Sequence, residues 1–555
     1  MKAFPRFFSI GFLLVFVAVS LFAFRQDSHD KSFEIAKNLD IFATLYRELH
    51  TYYVDEVNPN EVMRTGIDAM LKSLDPYTNY ISEDQIEDYR TMTTGEYGGI
   101  GATVGSRNGK VIVMMPHQDS PAQKAGLKIG DEILEIDNVK VTNSKAGNDV
   151  SKLLKGQANT NVRLLIKRYG ESQAKEVIVK RGVIKINNVP YHAMLSEDVG
   201  YIQLSDFTSG ASQEVKNALK ELKDKGAKGI VFDLRGNPGG LLNESVNISN
   251  LFINRDLEVV RTKGKIEEWN KSYKALNQPV DTEIPMVVLT NNRSASASEI
   301  VSGVLQDYDR AVLLGQRSFG KGLVQTTRPL SYNSQLKITT AKYYIPSGRC
   351  IQAIDYSSKD ELGSASRIPD SLRRAFKTQK GRTVYDGAGL EPDIVMERRD
   401  YPPILVSLIS KSLIFDYASL YASKKANIAP AKEFQLSDAD YQDFVNYLKD
   451  KDYDYVTEVE KNIQQIEETA KKEQYYNNIA NEIQSLKKRM SHNKETDLQT
   501  FKADIKRVLG EQIVAHYYFE KGQTEARLNN DEEVKEAVAI LKDKARYEQI
   551  LQKKN

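Results

Sequence analysis

Apolar residues recur every three or four positions early in the chain, at Phe33, Ala36, Leu39, Phe42, Tyr46, Leu49 and Tyr52. That spacing gives a helix one apolar face. Leu74-Asp-Pro-Tyr77 stops a second helix, because proline disfavours the helical conformation in the residue before it. Residues 30–92 are therefore expected to form an N-terminal helical region. Over 93–183 the pattern changes to short β-rich runs, Lys110–Met115, Glu132–Ile136, Val162–Arg168 and Glu176–Lys180, separated by glycine turns around one helix near Ala146–Leu154. Over 184–400 strands and helices alternate. Val199–Leu204 precedes a helix with Val215, Ala218, Leu219 and Leu222 on one face, and Gly229–Asp233 and Met286–Thr290 are the continuous apolar strands of a sheet covered on both faces. Ala297–Tyr308 is predicted as the helix of a βαβ unit ending in Ala311–Leu314, and the polar stretch 353–388 as an inserted loop. Residues 401–555 are helical and charged, with Ile463 and Ile466, Ile479 and Ile483, and Leu498, Phe501 and Ile505 at helical spacing, as expected of a packing or assembly domain.

The first 25 residues read differently. Lys2 and Arg6 precede an apolar stretch from Phe7 to Phe24 that Arg25 closes, the pattern of a secretory signal or signal anchor. Its length is just enough to span a bilayer. Export to the periplasm or cell envelope is expected, with the segment either removed or kept as an inner-membrane anchor. A length of 555 residues suits three to four domains. The net charge of +2 gives no basic field for nucleic acid, and the single cysteine, Cys350, excludes an internal disulfide or a multi-cysteine zinc site.

The candidate chemistry is concentrated in two runs. Asn292-Arg-Ser-Ala-Ser-Ala-Ser-Glu-Ile-Val-Ser-Gly303 places small hydroxyl residues where a buried strand turns into a helix. Ser296-Ala-Ser-Glu299 is a capping box, which by itself explains both the serine and the glutamate. The same geometry also exposes a hydroxyl at the end of the sheet, beside the free amides of a helix start that begin with Ala297. Ser294 and Ser298 are rivals by residue type. The second run, Ser318-Phe-Gly-Lys-Gly-Leu-Val-Gln325, sets Lys321 between two glycines. A lysine of ordinary pKa is neutral in roughly one molecule in 2,500 at pH 7, so a role as base requires a depression of about three units. Within a strand Lys321 and Gln325 would share a side, where Gln325 could orient the amine. Together these residues suggest a serine nucleophile with a lysine base, hence acyl transfer on an amide.

Other motifs refine this reading. Gly315-x-x-x-x-Gly320-Lys321 imitates a phosphate-binding loop, but Gly322 replaces the hydroxyl residue and a strand pattern follows where a helix is needed. Asp307 lies eleven residues along the helix from Ser296, about 16 Å away at 1.5 Å per residue, and is expected to be structural. The histidines fall outside every motif, so a Ser-His arrangement has no local support. Asp233-Leu-Arg-Gly-Asn-Pro-Gly-Gly240 follows a buried strand and can turn backbone amides toward a ligand. Tyr97-Gly-Gly-Ile-Gly-Ala102, followed by Ser120–Leu134, suits capture of a terminal carboxylate with an extended peptide added along the strand edge. A catalytically silent peptide-binding adaptor would need only this last module.

These motifs, with Tyr344-Ile-Pro-Ser-Gly-Arg349 and Gly389-Leu-Glu-Pro-Asp393, resemble in kind and order the carboxyl-terminal processing peptidases, the tail-specific proteases of the S41 serine peptidase family. The likeness spans about 33–400. It implies an α/β, crotonase-like serine protease core with an inserted PDZ domain. It implies Ser296 as nucleophile, Lys321 as general base and Gln325 as its partner, and an oxyanion hole from backbone amides of Ala297, Gly239 and Gly240. In the PDZ domain it implies carboxylate capture by Gly99, Ile100, Gly101 and Ala102. It further implies no metal or other cofactor, protein substrates with exposed apolar C-terminal tails, and homo-oligomers built through terminal helical regions. The 353–388 loop is longer than usual for the family, and the tail beyond 400 lies outside its shared motifs.

Overall fold

The structure is a computed structural model that describes residues 31–141, 146–359, 365–397, 400–490 and 494–552. The expected signal segment lies outside the described residues. Two compact units divide between Tyr80 and Ile81. The first holds a helix over 31–52 and a second, Pro59–Lys72. Asn58 starts the second by accepting hydrogen bonds from Asn60 and Glu61 N–H, with Pro59 at the first helical position, where its missing donor costs nothing. The Tyr46 hydroxyl donates to Pro59 O at 2.6 Å and so joins the pair. The helix ends at Lys72, ahead of Asp75-Pro76 as predicted, and Asp75 Oδ1 caps the turn that follows. On the apolar face of the first helix Phe33 and Leu39 are 67% and 64% exposed, whereas Tyr46 and Leu49 are half-buried.

In the second unit the β-rich module folds as an antiparallel sheet. Its strands include Ala102–Arg107, Lys110–Pro116, Glu132–Ile136, Asn161–Lys167 and Lys175–Lys180, close to the predicted runs. Alternate residues Val162, Leu164 and Ile166 point into one core with Val113, Ile133 and Ile136. The chain enters and leaves this module through two strands that pair with each other, Glu96–Gly99 and Gly182–Lys185, with Gly99 opposite Gly182. The module is therefore an insertion on a two-stranded neck.

The central sheet runs in the order Tyr191–Met194, Val199–Gln203, Gly229–Asp233, Met286–Thr290, Val312–Gly315, Ile394–Val395, parallel apart from its first strand. One face is covered by the helices Ala211–Asp224, Leu242–Asn250 and Ala297–Asp307, the last buried all round. An antiparallel sheet that includes Glu258–Gly264, Leu323–Pro329 and Gln335–Tyr344 packs beyond them. The opposite face is covered from far along the chain, by Leu528, Val534, Ala537, Ile540, Tyr547 and Leu551.

Two expectations change here. The segment 401–555 does not pack as one body. Helices Pro403–Ser410, Leu413–Lys424 and Asp438–Leu448 share a core with Ile505, Leu509 and Ile513, whereas Glu532–Lys542 and Lys544–Leu551 belong to the central sheet. The stretch 353–388 is not a plain loop. It forms two strand pairs, Ile354–Lys359 with Ala365–Arg367 and Ala375–Lys377 with Thr383–Tyr385. It is pinned by Arg382, which is buried against Asp309 at 2.6 Å and also paired with Asp393.

The β-rich module leans on the helical domain. Ile129, Ile112 and Met114 meet Phe415 and Ala515, and Arg107 lies over the Phe415 ring, 4.1 Å from its centre. A side chain at Gly130 would come within 2.6 Å of Ser419 Oγ. His516 stands at this junction, with Nδ1 2.8 Å from Gln512 O and Nε2 2.9 Å from Ser419 Oγ. Since a carbonyl only accepts, Nδ1 carries the proton and Nε2 accepts from the serine. Burial pushes the imidazole down to about 4, against the hydrogen bond to Gln512. A folded pKa below the unfolded value of about 6.5 gives stability that is present above pH 6.5 and lost as pH falls towards 4, by up to about 3 kcal/mol. Urea midpoints at pH 7 and pH 4.5 should therefore differ more in the wild type than in His516→Gln. Equal differences would show that this ring does not control acid sensitivity.

Candidate active site

The strand Met286–Thr290 ends below a turn that aims three serines in different directions. Ser294 Oγ donates to Leu234 O at 2.8 Å and accepts from Asn291 N–H at 3.0 Å. Ser298 Oγ donates to Asn237 O at 3.0 Å. Both are fully buried, so two of the three hydroxyls stitch this turn to the Asp233–Gly240 turn. Ser296 differs: it is half-buried, with φ 54° and ψ −112°. An L-residue adopts such a conformation only where its surroundings impose it, as on the strained strand-to-helix turns that present nucleophiles.

The Asp233–Gly240 turn lies directly against this serine. A Cβ at Gly239, where φ is +96°, would fall 2.8 Å from Ala297 N and 2.9 Å from Ser296 Cβ. Only glycine fits there. Ser296, the Ala297 amide and the Gly239 turn are thus brought together. The Gly239 N–H, however, is already donated to Asn237 Oδ1 at 2.8 Å.

One group escaped the sequence reading except as a helix cap. Glu299 is fully buried, and its carboxylate collects four donors: Ser296 N–H at 2.8 Å, Lys321 N–H at 2.9 Å, Gly320 N–H at 2.7 Å and Ser318 Oγ at 2.5 Å. The first two share Oε2, which keeps the backbone nitrogens of Ser296 and Lys321 within about 6 Å of each other. Burial pushes this carboxyl up, against the hydrogen bonds that favour its anion. The sequence signal was present in the capping box, but a cap explains only one of the four contacts.

Lys321 is half-buried in a segment with close backbone contacts on both sides. A Cβ at Gly320 (φ +89°) would fall 2.4 Å from Ala353 Cβ, and one at Gly322 would fall 2.8 Å from Gln352 N. Phe319 N–H donates to Ser294 O at 3.0 Å, so the lysine segment and the serine turn are also joined directly. The strand begins only at Leu323, and a bulge between Val324 and Gln325 breaks the alternation. Period-two reasoning therefore does not carry from Lys321 to Gln325, whose amide donates to Thr339 Oγ1 at 3.2 Å. Asp307 is structural, as expected: it pairs with the buried Arg349 at 2.8 Å and accepts from Ser347 N–H. Among the described hydrogen bonds none joins a histidine to Ser296; His192 pairs with Glu221.

In the inserted module, Ile100, Gly101 and Ala102 line a narrow groove with Val104, Ser151 and Leu154. Ile100 O accepts from Ala122 N–H and Gly101 O from His117 N–H, which fixes the loop, and Gly101 (φ +72°) presses on Ser120. Gly99 stands one step back, in the neck.

Residues 198–358 match peptidase family S41, 112–168 match a PDZ domain, and 404–541 match the C-terminal helical domain of probable PDZ-proteases. A carboxy-terminal-processing protease of Bartonella bacilliformis is 36% identical over 345 residues, 61% of this chain and 79% of the relative. The chain belongs to peptidase family S41. A probable CtpA-like serine protease of Staphylococcus epidermidis is 35% identical over 348 residues, 62% of this chain and 70% of that one. A solved photosystem II D1 C-terminal processing protease is 27% identical across 65% of this chain and 93% of its own, with a TM-score of 0.35. This S41 peptidase is a C-terminal processing serine protease with a PDZ domain. The tail lies beyond the S41 match and has a helical-domain match of its own, over 404–541.

Glu299→Gln tests the bridge. One oxygen would remain as acceptor, and an NH2 group would face backbone N–H donors. A stability loss of about 2–3 kcal/mol by urea titration is expected, together with a kcat loss of roughly 100-fold from misplaced groups. Wild-type values for both would remove the bridging role.

Proposed function

We propose that this S41 peptidase cleaves peptide bonds with Ser296 as nucleophile and Lys321 as general base, on protein substrates held by their apolar C-terminal tails in the PDZ groove. The observation that carries the reading is the single carboxylate oxygen of Glu299, which accepts from the backbone amides of both residues. In the first step the neutral Lys321 amine takes the Ser296 hydroxyl proton as Oγ bonds to the scissile carbonyl carbon. The negative oxygen that develops is met by Ala297 N–H and by the Gly239–Gly240 turn. Because Gly239 N–H is donated to Asn237 Oδ1, that donor becomes available only when the turn rotates. The tetrahedral centre then collapses, the C–N bond breaks, and the proton on Lys321 passes to the leaving amine. Water, deprotonated by the same lysine, attacks the acyl carbon; the C–Oγ bond breaks, and the proton on Lys321 returns to Ser296 Oγ, which restores both groups. The family resemblance alone assigns Gln325 to orient the Lys321 amine, since the bulge after Val324 removes the argument from spacing.

In the PDZ domain the loop Gly99–Ala102 is assigned to the terminal carboxylate, and the adjoining edge of Ala102–Arg107 to the tail backbone. The N-terminal apolar segment supports export to the periplasm or envelope, with retention as an inner-membrane anchor as one fate. The exposed apolar residues of the helix over 31–52, Phe33, Leu39 and Phe42 among them, support a homo-oligomer.

Cleavage of an unfolded protein with an apolar C-terminus should fall by at least about 1,000-fold in Ser296→Ala and Lys321→Ala, both still folded by circular dichroism. Wild-type turnover in either variant would overturn that residue's role. An adaptor without catalysis would show no turnover in the wild type, and a Ser-His enzyme would survive Lys321→Ala. Amidating the substrate's C-terminus should raise KM about tenfold or more through loss of a charge-assisted contact. An unchanged KM would refute carboxylate capture.

A further inference from the structure

The reactive turn is held from a part of the chain outside the peptidase domain. Arg235 lies two residues past the strand Gly229–Asp233, on the turn that leads to Gly239 and Gly240. A guanidinium has five N–H donors, and here every one is used. Nε and one Nη2 hydrogen go to Asp233, at 2.9 and 2.6 Å. Nη1 donates to Asp531 Oδ1 at 3.1 Å and to Glu533 Oε2 at 2.6 Å, and Nη2 lies 2.8 Å from Asp531 Oδ2. Asp233 is itself buried and accepts the Tyr201 hydroxyl at 2.7 Å. Asp531 also caps the helix Glu532–Lys542, accepting from Glu533 and Val534 N–H. One rigid cation therefore fixes both the start of the distant helix and the start of the reactive turn.

The helix has no need of these charges in order to dock. Its apolar stripe, Val534, Ala537 and Ile540, already seats it on the sheet. Asp233 is buried and Arg235, Asp531 and Glu533 are only 12–17% exposed, so desolvating the set is costly and removing one partner costs more still. Placed at the turn beside Ser296, rather than along the apolar stripe, they specify position more than attachment. The neighbouring contacts agree: Gly236 N–H donates to Asn291 Oδ1 at 3.0 Å, and Asn237, two residues after Arg235, accepts Ser298 Oγ and Ala295 N–H and binds Gly239 N–H. A shift of Arg235 is thus transmitted within a few residues to the oxyanion turn.

We infer that Asp531 and Glu533 are positioning residues of the peptidase site, acting through Arg235 on the Gly239–Gly240 turn. The inference rests on the Ser296 reading above, because it assigns the turn its part in that reaction. In the full-length protein, Asp531→Asn, Glu533→Gln and the double variant are compared with Ile540→Ala, which removes only apolar contact from the same helix, and with Glu533→Asp, which restores the charge. The double variant should lose roughly 10- to 100-fold in kcat, while KM for a tail-bearing substrate and affinity for a C-terminal peptide stay within about twofold. Glu533→Asp should recover a large part of the loss. Ile540→Ala should lower the urea midpoint with kcat unchanged. Wild-type kcat in the double variant, or an equal kcat loss in Ile540→Ala at matched stability, overturns the inference. If the double variant does not fold, the single variants decide by the same split. Ser296→Ala, run in the same assay, keeps the two readings apart: turnover by that variant condemns the nucleophile assignment, whereas its inactivity beside an unaffected Glu533→Gln condemns only the positioning role.

Discussion

A carboxylate buried away from water survives only when other groups solvate it, and Glu299 is solvated entirely by the site it organises. The donors it needs come from Ser296 at the start of its own helix and from Ser318, Gly320 and Lys321 some twenty residues later. Satisfying the anion and assembling the site are the same event. The neighbouring glycines answer to other close approaches: a side chain at Gly239 would strike the serine turn, and one at Gly320 or Gly322 the Gln352–Ala353 segment. The positive φ of Ser296 is held by the same closure.

Around this point the protein is organised as a sheet supported from two sides. The strand that ends at the serine, Met286–Thr290, has no exposed residue, and its backbone at Met286 is tied to the Tyr547 hydroxyl on the far face. The PDZ domain makes its own core and reaches the rest of the chain through its paired neck strands and through Phe415 and Ala515 of the helical domain. The PDZ domain and the S41 domain thus have separate cores within one chain, joined by the paired neck strands and, through the helical domain, by an apolar seam.

The sequence was most legible where a local pattern suffices. Alternation marked the PDZ strands, continuous apolar runs marked the central strands, and the hydroxyl-rich helix start and the lysine between glycines marked two segments that the structure joins through Glu299. Of three equivalent serines it could not choose by residue type, because the choice depends on Leu234 O and Asn237 O, sixty residues earlier, which engage Ser294 and Ser298. Glu299 looked like an ordinary cap, since neither burial nor donors from another segment are visible in a four-residue motif. The argument from Lys321 to Gln325 assumed unbroken alternation, and one bulge removes that assumption. The polar composition of 353–388 suggested a loop because the partners that allow Arg382 to be buried, Asp309 and Asp393, lie elsewhere in the chain. The stripe Val534, Ala537, Ile540 is narrow and flanked by charges, so its place on the sheet could not be read locally.

The far-face cover has a consequence for synthesis. Tyr191 meets Glu525, 334 residues later, and Arg235 meets Glu533, 298 residues later. A ribosome delivers these partners long after the first central strands have emerged, and such non-local closure is slow. Until then one face of the sheet lacks its apolar covering and the reactive turn lacks half of its charged anchor.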